Sequence, residues 1–181
     1  MNTDKPIVVG AGELLWDLLP SGKQLGGAPA NSAYHAQQMG ARGFIISAVG
    51  NDENGDEIMD LLINKEMNVS GISRIDRFPT GTVTVEVNSE GVPDFIIHQD
   101  VAWDYIANSS DTDEIVQKAD AFCFGSLAQR NKVSFAAIQS FLIRLPEKCL
   151  TIFDINLRQN FFSETIIDAS LQLADILKLN E

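Results

Sequence analysis

The 181 residues are 45% hydrophobic and 21% charged, enough apolar material for one sizeable core in a single α/β unit. Twenty-five acidic against 13 basic residues give a formal charge of -12, a surface that favours solubility and repels phosphate backbones and anionic lipid. Nucleic acid and membrane surfaces are therefore set aside as partners. In chain order, residues 1–5 are polar and lack the basic stretch and cleavage site of a targeting segment, and the apolar run after them is too short to span a bilayer. Residues 7–10 read as a strand and 29–39 as a helix; 44–49 and 55–65 repeat that pair. Further pairs follow at 121–125 with 133–145 and at 151–155 with 164–173, and a last strand at 176–179. In the helix from Val133, the apolar Val133, Ala136, Ala137, Phe141 and Leu145 recur every three to four residues, and Pro146 ends it. This is the βαβ rhythm of a parallel sheet.

Two stretches break the rhythm and read as antiparallel: 12–19 with 24–25, and 80–87 with 93–98 around Asn88-Ser89-Glu90-Gly91. In the second, Thr82, Thr84 and Glu86 alternate with Val83, Val85 and Val87, so one face is apolar. Such an element is either an ornament or a lid over ligands at the carboxyl ends of the strands. The only cysteines, Cys123 and Cys149, have no neighbour at metal-ligand spacing and read as reduced thiols of a cytoplasmic protein. His35 and His98 read as surface or packing residues.

Neither standard nucleotide motif is present. Gly10-Ala11-Gly12-Glu13-Leu14-Leu15 has Leu15 where a dinucleotide fingerprint needs its third glycine, and no Gly-Lys-Ser/Thr triplet occurs. Gly26-Gly27-Ala28-Pro29-Ala30-Asn31 places two glycines before a helix start, where backbone amides are unpaired and Pro29 suits the first turn. It is either a plain helix start or a ligand cradle with Asn31 as donor and acceptor. Asp17 is either a solvated strand-end acid or an acceptor for hydroxyls. Gln129 and Arg130, after the strand ending at Gly125, lie in a surface loop or touch a ligand at the sheet edge. Arg158, after 151–155, makes an ion pair or recognises a hydroxyl-rich or anionic group. Phe95 and Trp103 either pack or cover a sugar ring.

Gly26-Gly27-Ala28-Pro29-Ala30-Asn31, with Ala33 and Met39-Gly40, resembles the first signature of PfkB-type carbohydrate kinases. Supporting pieces run in the order of fructokinase-like members: Gly12-Glu13-Leu14-Leu15-Trp16-Asp17, Val49-Gly50-Asn51-Asp52, Thr80-Gly81-Thr82-Val83, Phe124-Gly125-Ser126-Leu127 and Asp154-Ile155-Asn156-Leu157-Arg158. The resemblance spans essentially the whole chain. It implies a ribokinase-like three-layer α/β/α domain with a mostly parallel sheet and a small β lid. Residues 1–181 would be the N-terminal part of one kinase domain, with lid strands within 12–25 and 80–99. It further implies ATP-dependent phosphorylation of a sugar, fructose first, with Mg²⁺, and a homodimer through the lid. Kinases of 2-keto-3-deoxygluconate or nucleosides, and a non-catalytic sugar-binding module, are the alternatives.

By the same resemblance Asp17 accepts hydrogen bonds from sugar hydroxyls, Gly26, Gly27 and Asn31 complete the cradle, and Asn180 lies near the nucleotide phosphates and metal. Gln129 and Arg158 are the further substrate-binding candidates. The family's base is an aspartate in a Gly-Ala-Gly-Asp motif, which these residues do not contain, so no catalytic residue and no metal ligand is assigned. The family's Asn-x-x-Glu begins at Asn180-Glu181. The expectation is an incomplete domain that holds sugar and does not turn it over.

Overall fold

The computed structural model describes residues 5–87 and 93–179; the turn expected at 88–91, and Asn180, lie outside the described residues. Strands β1 (Ile7–Ala11), β4 (Arg42–Gly50), β5 (Ile72–Ile75), β8 (Ala121–Gly125), β9 (Leu150–Ile155) and β10 (Ile176–Leu179) form a parallel sheet in the order β10-β9-β8-β1-β4-β5. Helices α1 (Ala28–Gln38), α2 (Glu53–Asn64), α3 (Ser110–Gln117), α4 (Lys132–Ile143) and α5 (Glu164–Leu171) connect them.

The central strands β1, β4 and β8 are covered on both faces, which is why they read as near-continuous apolar runs, whereas the edge strand β10 is exposed. Alternate residues of β4 separate the two cores: Phe44 and Ile46 pack with Val9, Phe122, Phe141 and Phe153 toward α3 and α4. Ile45 and Val49 pack with Ala30, Ala33, Ile58 and Leu62 toward α1 and α2. The result is three layers, helix on sheet on helix, as expected.

Local signals fix the helix starts. Asp52 caps α2 by accepting from Gly55 N (2.8 Å), and also accepts from Thr80 N (2.8 Å) and Thr80 Oγ1 (2.6 Å). Burial alone would raise the Asp52 pKa, but these donors outweigh it and hold the carboxyl below its ordinary value. Asn131 caps α4 and Ser163 caps α5 in the same way. At the amino ends of the strands, Asp120 accepts from Ile7 N (2.7 Å), and Asp175 accepts from Thr151 N (2.8 Å) and Thr151 Oγ1 (2.7 Å).

The small element differs from two separate hairpins. Strands β2 (Leu15–Leu19), β3 (Gly22–Gly26), β6 (Gly81–Val87) and β7 (Pro93–Ile97) form one sheet in the order β3-β2-β6-β7. Two antiparallel pairs, β2 with β3 and β6 with β7, are joined by β2 and β6 running parallel. That join links segments far apart in the chain, so no local pattern announces it. Also unanticipated are β5, only four residues long, and α3, whose sequence Ser-Asp-Thr-Asp-Glu-Ile-Val-Gln carries just two apolar residues. Ser109 caps α3 through Thr112 N (3.2 Å), a start signal that outranked the weak periodicity. Among the described residues no helix is long and apolar enough to cross a membrane. Cys123 and Cys149 are free, and burial, with nearby carboxylates second, pushes both thiols up to about 11.

Candidate functional site

β1 is the switch point of the sheet: the chain proceeds from it to β4 and β5 on one side and later returns to β8 on the other. Ligands of open α/β sheets bind outside the carboxyl ends of the strands at such a point. A cleft of about 500 Å³ lies there. Its floor comes from the segment after β1, the start of α1 and the loops after β8 and β9, and its roof from Val83, Phe95 and Ile97 of the small sheet.

Four of the six predicted substrate-binding residues, Asp17, Gly27, Asn31 and Arg158, line this cleft although they lie up to 141 residues apart in the chain. Asp17 is on β2, opposite Gln24 of β3, and is half-buried; burial raises its pKa. Gly26 is beside it: a Cβ there would stand 2.5 Å from Asp17 Oδ2, so only glycine leaves the carboxylate its place. Gly27, at φ 118°, is the N-cap of α1, and a Cβ on it would run into the Glu13 carbonyl oxygen. Asn31 N donates to Gly27 O (2.9 Å), which closes the first turn of α1 and leaves the exposed Asn31 side chain at the cleft.

Gln129 is not brought to the cleft. It is 1% exposed, its Nε2 donates to Gly125 O (3.0 Å) and Ser170 Oγ (2.9 Å), and its Oε1 accepts from Gln139 Nε2 (2.8 Å). The amide is spent on tying β8 to α4 and α5, which corrects its expected role as a sugar contact. Trp103 is likewise fully buried, against Gly81 and over the Arg130 guanidinium at 4.0 Å, so it packs rather than covers a ligand. Phe95 does border the cleft, about half exposed. Arg130 pairs with Asp104 through Nε (2.8 Å) and Nη2 (2.9 Å), and donates to His98 O (2.6 Å). It is a structural strut between the loop after β7 and the turn after β8.

Glu13 is the residue the sequence reading missed. It is 4% exposed, lines the cleft, and its Oε1 accepts from Ala28 N (3.2 Å), supplying from another segment the cap that Gly27 cannot. Its Oε2 is buried without a hydrogen-bond partner. Burial dominates its pKa and raises it, with the nearby Asp154 charge adding to the rise and Arg130 opposing it. The available signal was a carboxylate flanked by the apolar Leu14-Leu15-Trp16 run. Among the described residues no group of three or more His, Cys, Asp or Glu is arranged to hold a metal.

A doubly covered parallel sheet, with a second sheet roofing the cleft at its switch point, defines the ribokinase-like fold. The pfkB family carbohydrate kinase domain matches residues 21–181, and the chain belongs to that family. The Pyrococcus horikoshii protein designated "Putative sugar kinase PH1459" is 28% identical across the whole chain; its crystal structure superposes with a TM-score of 0.83 over 94% of this chain and 62% of its own. The same protein in complex with ATP gives 0.81. The Arabidopsis thaliana protein designated "Probable fructokinase-3" is 24% identical over 98% of the chain. A fructokinase of Xylella fastidiosa with bound ATP shares the fold at a TM-score of 0.79 and 21% identity. The chain spans 64% and 57% of the lengths of the two curated relatives.

Proposed function

We propose that the protein is an ATP-dependent sugar kinase whose cleft takes an uncharged hexose, fructose first. The observation that carries the reading is the convergence of Asp17, the glycine pair before α1 and Asn31 on one roofed cleft at the switch point. In this reading Asp17 accepts hydroxyl hydrogens, Asn31 and the backbone at the start of α1 add donors, and Phe95 covers an apolar ring face. Gly26 contributes by absence of a side chain. The fructokinase and ATP named for the relatives support the acceptor and the donor. Phosphoryl transfer is positioning plus charge stabilisation, and its base and Mg²⁺ are assigned to the share of the family fold that this chain does not span, with Asn180 beside the phosphates. The small sheet serves as the lid, and a second copy would pair through its edge strands. Free cysteines fit a cytoplasmic protein.

Arg158 at the cleft favours one other acceptor, a sugar acid such as 2-keto-3-deoxygluconate, through its fork of donors. Competition titrations of the 181-residue chain with fructose, 2-keto-3-deoxygluconate and a nucleoside decide between them. The expected order puts fructose tightest, with no turnover in a coupled ATP assay. Tighter binding of the sugar acid would reassign the acceptor, and absence of binding by every candidate would end the reading.

A further inference from the structure

Glu13 holds unspent hydrogen-bonding capacity at the wall of the cleft. The segment that carries it is pinned from both sides: Gly12 N donates to Ile46 O (3.0 Å), and the Ser47 hydroxyl donates to Gly12 O (2.6 Å). One carboxyl oxygen is fixed on Ala28 N, while the other meets neither donor nor acceptor. An ionised carboxylate with an oxygen buried and unpaired is among the costliest arrangements in a protein, whereas the neutral acid asks only for one acceptor. The charges around it oppose one another, Asp154, itself paired with Lys178 Nζ (2.8 Å), raising the Glu13 pKa and Arg130 lowering it, so burial decides the direction. Asp17 from β2 borders the same cleft, Asp154 of β9 acts on Glu13 as a like charge, and the cations are Arg158 across the cleft and Arg130, which is already engaged by Asp104. The Ala28 N–H at the start of α1 and the backbone N–H of Glu13 itself favour the ionised form, and burial outweighs both.

We propose that Glu13 is a further ligand-binding residue, a neutral carboxylic acid that donates its Oε2 proton to a hydroxyl or ring oxygen of an uncharged polyol, while Asp17 accepts a hydroxyl hydrogen in the same cleft. The two carboxyl groups then recognise opposite polarities of one ligand: the half-buried Asp17 ionises and accepts, and the buried Glu13 keeps its proton and donates. Two carboxyl groups in one cleft also disfavour an anionic ligand. This rests on the sugar-binding reading above. The raised pKa of Glu13 supports it. Ionisation of Glu13 weakens binding as pH rises.

The test is calorimetric titration of fructose into the whole chain from about pH 5 to about pH 9, with wild type, Glu13→Gln and Glu13→Met. Gln keeps an acceptor for Ala28 N and a donor in place of Oε2–H, yet does not titrate. The expected result is a wild-type affinity that falls on the alkaline side, a Glu13→Gln affinity within about threefold of the wild-type maximum with no alkaline fall, and a Glu13→Met affinity reduced about tenfold or more. Wild-type binding that does not weaken at high pH, or Glu13→Gln binding as poor as Glu13→Met, overturns the proposal even if Met fails to fold. Absence of fructose binding by wild type at every pH brings down the sugar reading itself, and this proposal with it.

Discussion

The two ends of the parallel sheet are built on opposite principles. At the amino ends, carboxylates close the strands: Asp120 takes Ile7 N, Asp175 takes both the amide and the hydroxyl of Thr151, and those donors depress the Asp175 pKa. At the carboxyl ends Asp52, after β4, is engaged in the same way, but polar capacity is left over around β1, β8 and β9. The buried side-chain atoms without partners among the described residues are Glu13 Oε2, Trp103 Nε1, Arg130 Nη1 and Asp154 Oδ1, and all lie on the carboxyl-end half of the molecule. Buried polar atoms are ordinarily satisfied, so their clustering at one end marks the end that was not optimised for stability alone.

The largest expected effect falls on the one strongly buried ion pair among the described residues at that end. The Arg130 and Asp104 side chains are 5% and 2% exposed, so Asp104→Ala strands a buried guanidinium and should cost about 3–5 kcal/mol in urea unfolding. A loss below about 1 kcal/mol would mean that the pair is not buried as described. Next, Asp17→Asn should reduce fructose affinity at least about tenfold, about 1.4 kcal/mol, while leaving the unfolding midpoint within about 0.5 kcal/mol of wild type. Equal losses of binding and stability would erase the contrast between the two ends.

Asp52→Ala removes the cap of α2 and the tie to Thr80, and about 1–2 kcal/mol of stability should go with it. Because the folded Asp52 pKa lies below its ordinary 3.8, that contribution is complete above the ordinary value and is lost as pH falls through the folded one; Asp52→Ala should flatten this acid limb. Glu13 has the opposite sign. Its folded pKa lies above the ordinary 4.5, so its contribution is complete below that value and is lost as pH climbs through the folded one; stability of Glu13→Gln should decline less toward alkaline pH. Smallest of all, Asp120→Asn keeps an acceptor for Ile7 N and should cost no more than about 0.5–1 kcal/mol without touching fructose binding.

Much of this was legible in the sequence, and the exceptions share a cause. Strands such as β1 and β8 show because a strand covered on both faces is a near-continuous apolar run. Gly26, Gly27 and Asn31 show because a glycine pair before a proline-bearing helix start is a local signal. Apart from the short β5 and the weakly apolar α3, what failed to show is decided by partners distant in the chain. Gln129 is consumed by Gln139 and Ser170, β2 finds β6, and Glu13 acquires its environment from Ala28, Arg130 and Asp154. No window of local periodicity contains those partners.

The proposed sugar site lies between Asp17 and the start of α1 beneath the small sheet. A crystal structure of the chain grown with fructose tests it most directly. The expected result is the hexose in the cleft, with a hydroxyl within hydrogen-bonding distance of the Asp17 carboxylate and another at the Gly27–Asn31 turn. Fructose bound elsewhere, or in the cleft with Asp17 untouched, would contradict it.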